Sequence, residues 1–407
     1  MAYVFTFFRG GGGQGVHLAV STDGLEFREV NEGEPILTSE LGEGLTRDPS
    51  ILLGPEGRWH MVWTSGDLQS IGLSSSDDLL SWDEPRAVAV MEHEPTAINS
   101  WAPELHWDAT AERYSVVWAS TVRRVHPSGT SEPAPDGEAF EHRLYVSHST
   151  DLQDWTEGEL YWDGAINAID AAVVRDEDTE DHVLVYKDER LVPEVRKRVA
   201  VATASGFDGP WDEGAVVEEL GSWVEGPSLV RDLDDEGWLL YADRYYGETY
   251  AAASSPDLET WTDRAAEVTM PPGARHGTVL RVPYERIEGL LDSAVPVPDP
   301  DTTSTTAATP IPDGPRRPVD PSTYGDERPT TGVGGVLFDL LTAQGVEPNR
   351  AVCAAEVLLT RTTEAELLAA GLVELTDEAV APVIAAALDC GIAQDQVDAT
   401  LQAARGG

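Results

Sequence analysis

Apolar and polar residues alternate with a period of two through residues 1–290, in runs short enough to be strands. Four such runs, Trp59–Trp63, Tyr114–Trp118, His182–Tyr186 and Trp238–Tyr241, are β-branched or aromatic and are bounded by Gly, Pro and Asp. No helical period is evident in this part. From 291 to 332 Pro, Asp, Thr and Ser dominate, a composition that cannot bury a core and reads as an extended, disordered linker. From 333 to 407 the period lengthens to three and four, in Val336–Ala343, Ala351–Leu359 and Val380–Leu388. Thr363 before Glu366 forms a capping box, and Thr376 can cap the next helix. The pattern predicts an all-β domain over 1–290, a linker over 291–332 and a small α-helical domain of four or five short helices over 333–407.

A turn motif of Ser or Thr, Asp, Leu and an aromatic residue subdivides the β region. It recurs at Ser21–Phe27, Ser76–Trp82, Ser149–Trp155, more loosely at Ala204–Trp211, and at Ser255–Trp261. The aromatic anchors lie 55, 73, 56 and 50 residues apart, and the insert Arg123–Glu141 accounts for the long interval. One four-stranded sheet with its turns needs about 40–50 residues, so five repeats predict a five-bladed β-propeller. Two strands, near Ala2–Phe8 and Val16–Ser21, precede the first repeat. They are expected as the outer strands of a blade whose inner strands come from the far end, near Thr278–Val282.

A second series runs in register with the first. Arg47-Asp48-Pro49-Ser50, Trp101-Ala102-Pro103-Glu104, Ala168-Ile169-Asp170, Val224-Glu225-Gly226-Pro227 and Arg275-His276-Gly277 follow their anchors. The polar residues stand 21, 22, 15, 14 and 15 positions after the anchors. Equivalent positions of blades meet around the axis, so Asp48, Glu104, Asp170, Glu225 and His276 are expected to converge at one mouth of the central channel. Carboxylates crowded together raise one another's pKa values, which costs stability. Such an arrangement suits a glycosidase, which needs a protonated acid and an ionised base. The alternative for any single acid is that it caps a turn in its own blade.

These segments resemble glycoside hydrolase family 43, whose fold is a five-bladed propeller, over roughly residues 2–284. The resemblance implies Asp48 as general base, Asp170 as the residue that modulates and orients the acid, and Glu225 as general acid. It implies inverting hydrolysis of α-L-arabinofuranosyl or β-D-xylosyl linkages, with the Asp48 and Glu225 carboxyls about 6.5–9.5 Å apart. Trp101-Ala-Pro-Glu104 matches a substrate-pocket segment, although the family often carries Asp where Glu104 stands, and Arg-His-Gly-Thr matches its axial His276. Arg47, Trp101, Glu104, Asn167, Trp223, Arg244 and His276 are the candidate substrate-binding residues. Tyr245, Tyr246, Trp101 and Trp223 can stack on a sugar face or pack the blades. Arg47, Arg244 and Arg275 can hold a sugar hydroxyl or pair with a neighbouring acid. His276 can act as a neutral hydrogen-bonding group or as the indirect anchor of an axial cation. No cofactor is required, no first-shell metal site is assigned, and a structural calcium or sodium ion in the channel is compatible with the family. The rival readings are a non-catalytic carbohydrate-binding propeller and a fructan- or galactan-type glycosidase of a sister family, whose acid and N-terminal motifs are missing.

Composition narrows the partners. With 27 Lys+Arg against 73 Asp+Glu, the net charge of −46 excludes routine binding to nucleic-acid phosphates or anionic membranes. No apolar run is long enough to span a bilayer. A carbohydrate is the expected partner, and a monomer is favoured. The acidic excess outside the channel fits a surface solvated in salt. The Gly10–Gly13 stretch lacks the Lys of a phosphate-binding loop and reads as a hairpin loop rimming the pocket. The two cysteines, Cys353 and Cys390, either pair as a disulfide within the helical segment or are buried thiols. A disulfide would suggest a secreted, extracytoplasmic protein, although the first residues do not read as a signal peptide.

Overall fold

The computed structural model describes residues 1–123, 141–190, 196–233, 236–244, 249–294, 332–343 and 346–361, with positions 383, 387, 390 and 392. It separates into two compact units, 1–299 and 300–407.

The first unit is a five-bladed β-propeller of five four-stranded antiparallel sheets. Blade two is β4 (Arg47–Leu53), β5 (Trp59–Thr64), β6 (Ile71–Ser76) and β7 (Arg86–Val88). Blade three is β8 (Trp101–Asp108), β9 (Arg113–Ser120), β10 (Arg143–Ser149) and β11 (Glu159–Trp162). Blade four is β12 (Ala168–Arg175), β13 (His182–Asp188), β14 (Arg198–Ala204) and β15 (Ala215–Val216). Blade five is β16 (Glu225–Arg231), β17 (Trp238–Arg244), β18 (Thr249–Ser255) and β19 (Thr262–Asp263). Blade one closes the ring, since β20 (Ala274–Val282) pairs with β1 (Ala2–Arg9), followed by β2 (Val16–Ser21) and β3 (Arg28–Glu29). A single inner strand therefore comes from the far end. β1 and β2 are the middle strands of this blade rather than its outer pair, because β3 lies outside them.

The period of two has a direct packing cause. Along β1, Ala2 and Val4 join the cluster shared with blade two, whereas Tyr3, Phe5 and Phe7 join the cluster shared with blade five. Five such clusters fill the five blade interfaces. Middle strands are buried on both faces, which is why β2 and β5 are buried throughout. The repeated turn motif joins the third and fourth strands of each blade. Asp23, Asp78, Asp151 and Asp257 each accept two backbone N–H bonds within their own turn, at 2.7–3.0 Å. After β20 a short helix, α1 (Glu288–Ser293), follows Ile287, and both Ile287 and Leu290 pack on the interface of blades one and two.

In the second unit α2 (Gly332–Ala343) and α3 (Pro348–Arg361) pack through Leu337, Leu341, Val352 and Leu358. Cys353 and Cys390 form a disulfide, both fully buried. Of the expected linker over 291–332, the first residues belong to α1 and Gly332 begins α2, while 295–331, the capping box Thr363–Glu366 and Thr376 lie outside the described residues. Among the described residues no helix is long and apolar enough to cross a membrane.

Candidate active site

The inner strands β4, β8, β12, β16 and β20 contact one another in a closed ring. Each carries a β-bulge near its start, at 48–49, 102–103, 170–171, 226–227 and beside His276. At the bulge Asp48, Ala102, Asp170 and Gly226 all adopt positive φ, between 48° and 56°. That conformation is costly for a residue with a Cβ, and its recurrence shows a built feature of the ring. Gly226 is demanded twice over, since a Cβ there would stand 2.3 Å from the His276 ring.

The bulges set the true register, and it differs from the expected one. Asp48, Ala102, Asp170, Gly226 and His276 share one level. Glu225 stands one residue before it, level with Arg47, Trp101, Ile169 and Arg275. Glu104 stands two residues beyond it, level with Ser50, Ala172, Ser228 and Thr278. The five polar residues therefore face the axis at three levels instead of forming one ring.

His276 is the hub. Its Nδ1 lies 3.3 Å from Asp48 Oδ1 and 3.9 Å from Asp170 Oδ2. Burial disfavours charge on the ring, but Asp170, Asp48 and Glu225 outweigh it and lift its pKa to about 9. That value favours an imidazolium at neutral pH. Burial pushes the Asp48 carboxyl up, yet His276, the Thr64 hydroxyl and the Arg47 charge prevail and hold it below the usual carboxylate range. Thr64 donates to Asp48 Oδ2 at 2.7 Å and accepts from the Ala102 N–H at 2.8 Å, tying this carboxylate to the next blade. Asp170 goes the other way. Burial raises it to about 6, against the charges of His276 and Lys187, and its Oδ2 accepts from the Gly226 N–H at 3.0 Å. Two neighbouring carboxyls are thus pushed apart in acidity.

Glu225 meets two cations that the motif search did not connect to it. Lys187 Nζ donates to Oε2 at 3.1 Å, and Arg275 donates to Oε1 at 3.2 Å. Arg275 is backed by Asp243, and Lys187 by Glu189. Lys187, Asp243 and Glu189 lie on or just after the second strands of their blades, outside the inner-strand segments that were compared. Their signal in the sequence is a charge at the end of an apolar run, in Val183-Leu-Val-Tyr-Lys187 and Leu239-Leu-Tyr-Ala-Asp243. Glu104 sits deeper, accepting from Thr278 at 3.2 Å. Burial raises its pKa to about 7 against the Ser50 and Thr278 hydroxyls and the His276 charge.

The other expected binding residues divide. Trp101 is 37% exposed beside its bulge and leans on His142, with ring centroids 5.1 Å apart. Trp223 is half-buried at positive φ directly before the Glu225 strand. Arg47 is exposed over the Phe8 ring, and a Cβ on Gly12 would meet its side chain at 2.3 Å, so the glycine loop does border this mouth. Asn167 is buried, and its side-chain oxygen accepts from the His142 N–H at 3.0 Å. Arg244 ends β17 and makes no ion pair among the described residues. Tyr245, Tyr246 and most of the insert Arg123–Glu141 lie outside the described residues. No group of three or more potential ligands has metal-binding geometry among the described residues. A cavity of about 400 Å³ lies elsewhere, between blades two and three around Glu56, His60, Arg86 and Tyr114, and none of the axial residues lines it.

Comparison with known proteins identifies the family. A curated α-L-arabinofuranosidase of Bifidobacterium longum subsp. longum is 21% identical over 282 residues, 59% of this chain. The chain spans about a quarter of that relative's length, 26%. Among solved structures, an α-L-arabinofuranosidase from Lactobacillus brevis is 19% identical over 58% of this chain and 74% of its own, with a TM-score of 0.42. A GH43_1 enzyme from Xanthomonas citri complexed with xylotriose is 14% identical over 58% of this chain and 77% of its own, with a TM-score of 0.44. The model of a family related to glycoside hydrolase family 43, described as "Probable glycosyl hydrolase domain", matches residues 1–288, the whole propeller, and the chain belongs to that family.

Proposed function

We propose that the propeller is an inverting glycoside hydrolase that releases α-L-arabinofuranosyl or β-D-xylosyl residues from plant-type or related glycans. The observation that carries this reading is the divergence of the carboxyls around His276. Asp48 is held low enough to be an ionised base, while Asp170 is pushed up beside the strand that bears Glu225. Glu225 protonates the departing glycosidic oxygen. Asp48 takes a proton from a water that attacks C1 from the opposite face, the C1–O bond breaks, and the anomeric configuration inverts. Asp170 acts through the Gly226 N–H, fixing the backbone next to Glu225. Carboxyls plus water suffice for this chemistry, so no cofactor enters. His276 brings positive charge to the axis beside Asp48 and Asp170. The sugar preference leans on the activity named for the Bifidobacterium longum relative, and Trp101 offers a platform for the ring.

The test is hydrolysis of arabino- and xylo-oligosaccharides, with the first-formed anomer followed by proton NMR. Inversion is expected, and Glu225→Gln should lose about 10²–10⁴ of the rate while keeping its circular dichroism. A retained product would mean a covalent nucleophile, and an active Glu225→Gln would remove the acid assignment. Calorimetric binding of the same oligosaccharides without turnover would favour a sugar-binding propeller instead.

A further inference from the structure

The two cations that hold Glu225 differ in anchorage. Arg275 reaches Glu225 Oε1 at 3.2 Å, while its Nε donates at 2.7 Å to Asp243, which is fully buried. Asp243 also accepts from the His276 N–H at 3.0 Å, so Arg275 is bound back to its own strand. Lys187 is placed otherwise. Its buried ammonium donates to Glu225 Oε2 at 3.1 Å and lies 3.2 Å from Glu189 Oε2. The second contact is not aligned as a hydrogen bond, and Glu189 Oε2 is a buried oxygen without a donor among the described residues. The other oxygen, Glu189 Oε1, is filled by Lys197 at 2.6 Å. Lys187 thus stands between two carboxylates, bonded to one and touching the open oxygen of the other.

A carboxylate can accept from both cations at once. A carboxylic acid cannot do so as well, because one oxygen carries a proton that must point at its acceptor. To deliver a proton, Glu225 has to release one cation, and a buried ammonium left without an anion is costly. Arg275 already uses Asp243, whereas Lys187 has the open oxygen of Glu189 within reach. We infer that Lys187 is a two-seat positioning residue, which is bonded to Glu225 when that group is the carboxylate and turns onto Glu189 when Glu225 carries the proton for the departing sugar oxygen. The inference rests on Glu225 being the general acid. Lys187 keeps its three protons throughout. Glu225 gains one from solvent, passes it to the glycosidic oxygen as the C1–O bond breaks, and regains Lys187 as its carboxylate re-forms.

Glu225→Gln, in the full chain, mimics the neutral acid without substrate. In its crystal structure the side-chain oxygen at position 225 should stay with Arg275. Lys187 Nζ should move to within about 3.0 Å of Glu189 Oε2 and beyond about 3.5 Å from residue 225. Lys187 staying in place, or Arg275 leaving instead, overturns the inference. A kinetic arm uses Glu189→Gln, which removes the charge of the second seat. Its loss in kcat should be at least about fivefold larger on oligosaccharides, whose leaving groups need the acid, than on nitrophenyl glycosides, whose leaving groups need it less. Equal losses on both mean a structural role only and also overturn it. An active Glu225→Gln on oligosaccharides would sink the acid reading separately, whichever seat Lys187 occupies.

Discussion

Glu104→Gln isolates the electrostatic cost of the deeper level of the channel. Burial lifts the Glu104 carboxyl from 4.5 to about 7 in spite of the Ser50 and Thr278 hydroxyls and the His276 charge. A carboxyl raised in the folded state contributes stability that is complete below 4.5 and is lost as pH climbs through about 7. The difference, 7 − 4.5 = 2.5, corresponds to about 3 kcal/mol at roughly 1.36 kcal/mol per pH unit. Glu104 is half-buried rather than sealed, so solvent screening makes that figure an upper bound. Gln keeps an oxygen for the Thr278 hydroxyl and cannot ionise. Native protein and variant should therefore match near about pH 4, and the variant should gain up to about 3 kcal/mol by about pH 8, several degrees in Tm. Thermal unfolding followed by circular dichroism at fixed ionic strength reads the difference, and the titrations of His276 and Asp170, common to both proteins, largely cancel. A gain equal at every pH, or a variant weaker at alkaline pH, would refute burial of this carboxyl as the cause.

Other changes probe the remaining parts. Asp48→Asn should lower kcat on oligosaccharides by about 10²–10⁴. Because Asp48 is held below the usual carboxylate range, the native acid limb of kcat/KM should fall only at pH values below that range, as this carboxyl protonates. Gly226→Ala would drive a Cβ into the His276 ring at positive φ and should destabilise the propeller by about 3 kcal/mol or more, with loss of turnover. Gly273→Ala, at φ +68° with open space around it, should cost only about 1 kcal/mol, and equal losses of stability for the two variants in chemical denaturation would discredit the contact. Reducing Cys353–Cys390, which closes a separation of 37 residues, should remove about 4 kcal/mol from the helical unit, seen as an earlier transition while that of the propeller stays put.

Much of the fold was legible because its signals are local. Two-sided burial of middle strands leaves alternating apolar faces within six or seven residues, as in Trp59–Thr64 and His182–Asp188. The Asp turns close hydrogen bonds over two or three residues, so Asp23, Asp78, Asp151 and Asp257 announce them without any partner from another blade. The repeat interval then counted the blades. The role of β3 as an outermost strand was not legible, since Arg28–Glu29 is too short to carry a period.

For the site, the sequence by itself supplied the polar residues of each inner strand, and with them Asp48, Asp170, Glu225 and His276. Offsets counted from a turn could not distinguish the three levels, because the register within each inner strand depends on a bulge. Four of those bulges are positive-φ geometries stabilised by the ring, through contacts such as Thr64 to Ala102 and Asp170 to Gly226. Charge states were also decided in three dimensions. His276 becomes cationic only because carboxylates from strands more than 50 residues away in the chain close around it, in a site where burial alone would have made it neutral. Lys187, Arg275, Asp243 and Glu189 acquire meaning the same way. Alternation and turn chemistry are carried by neighbours along the chain, whereas a channel of opposed charges exists only once the ring has closed.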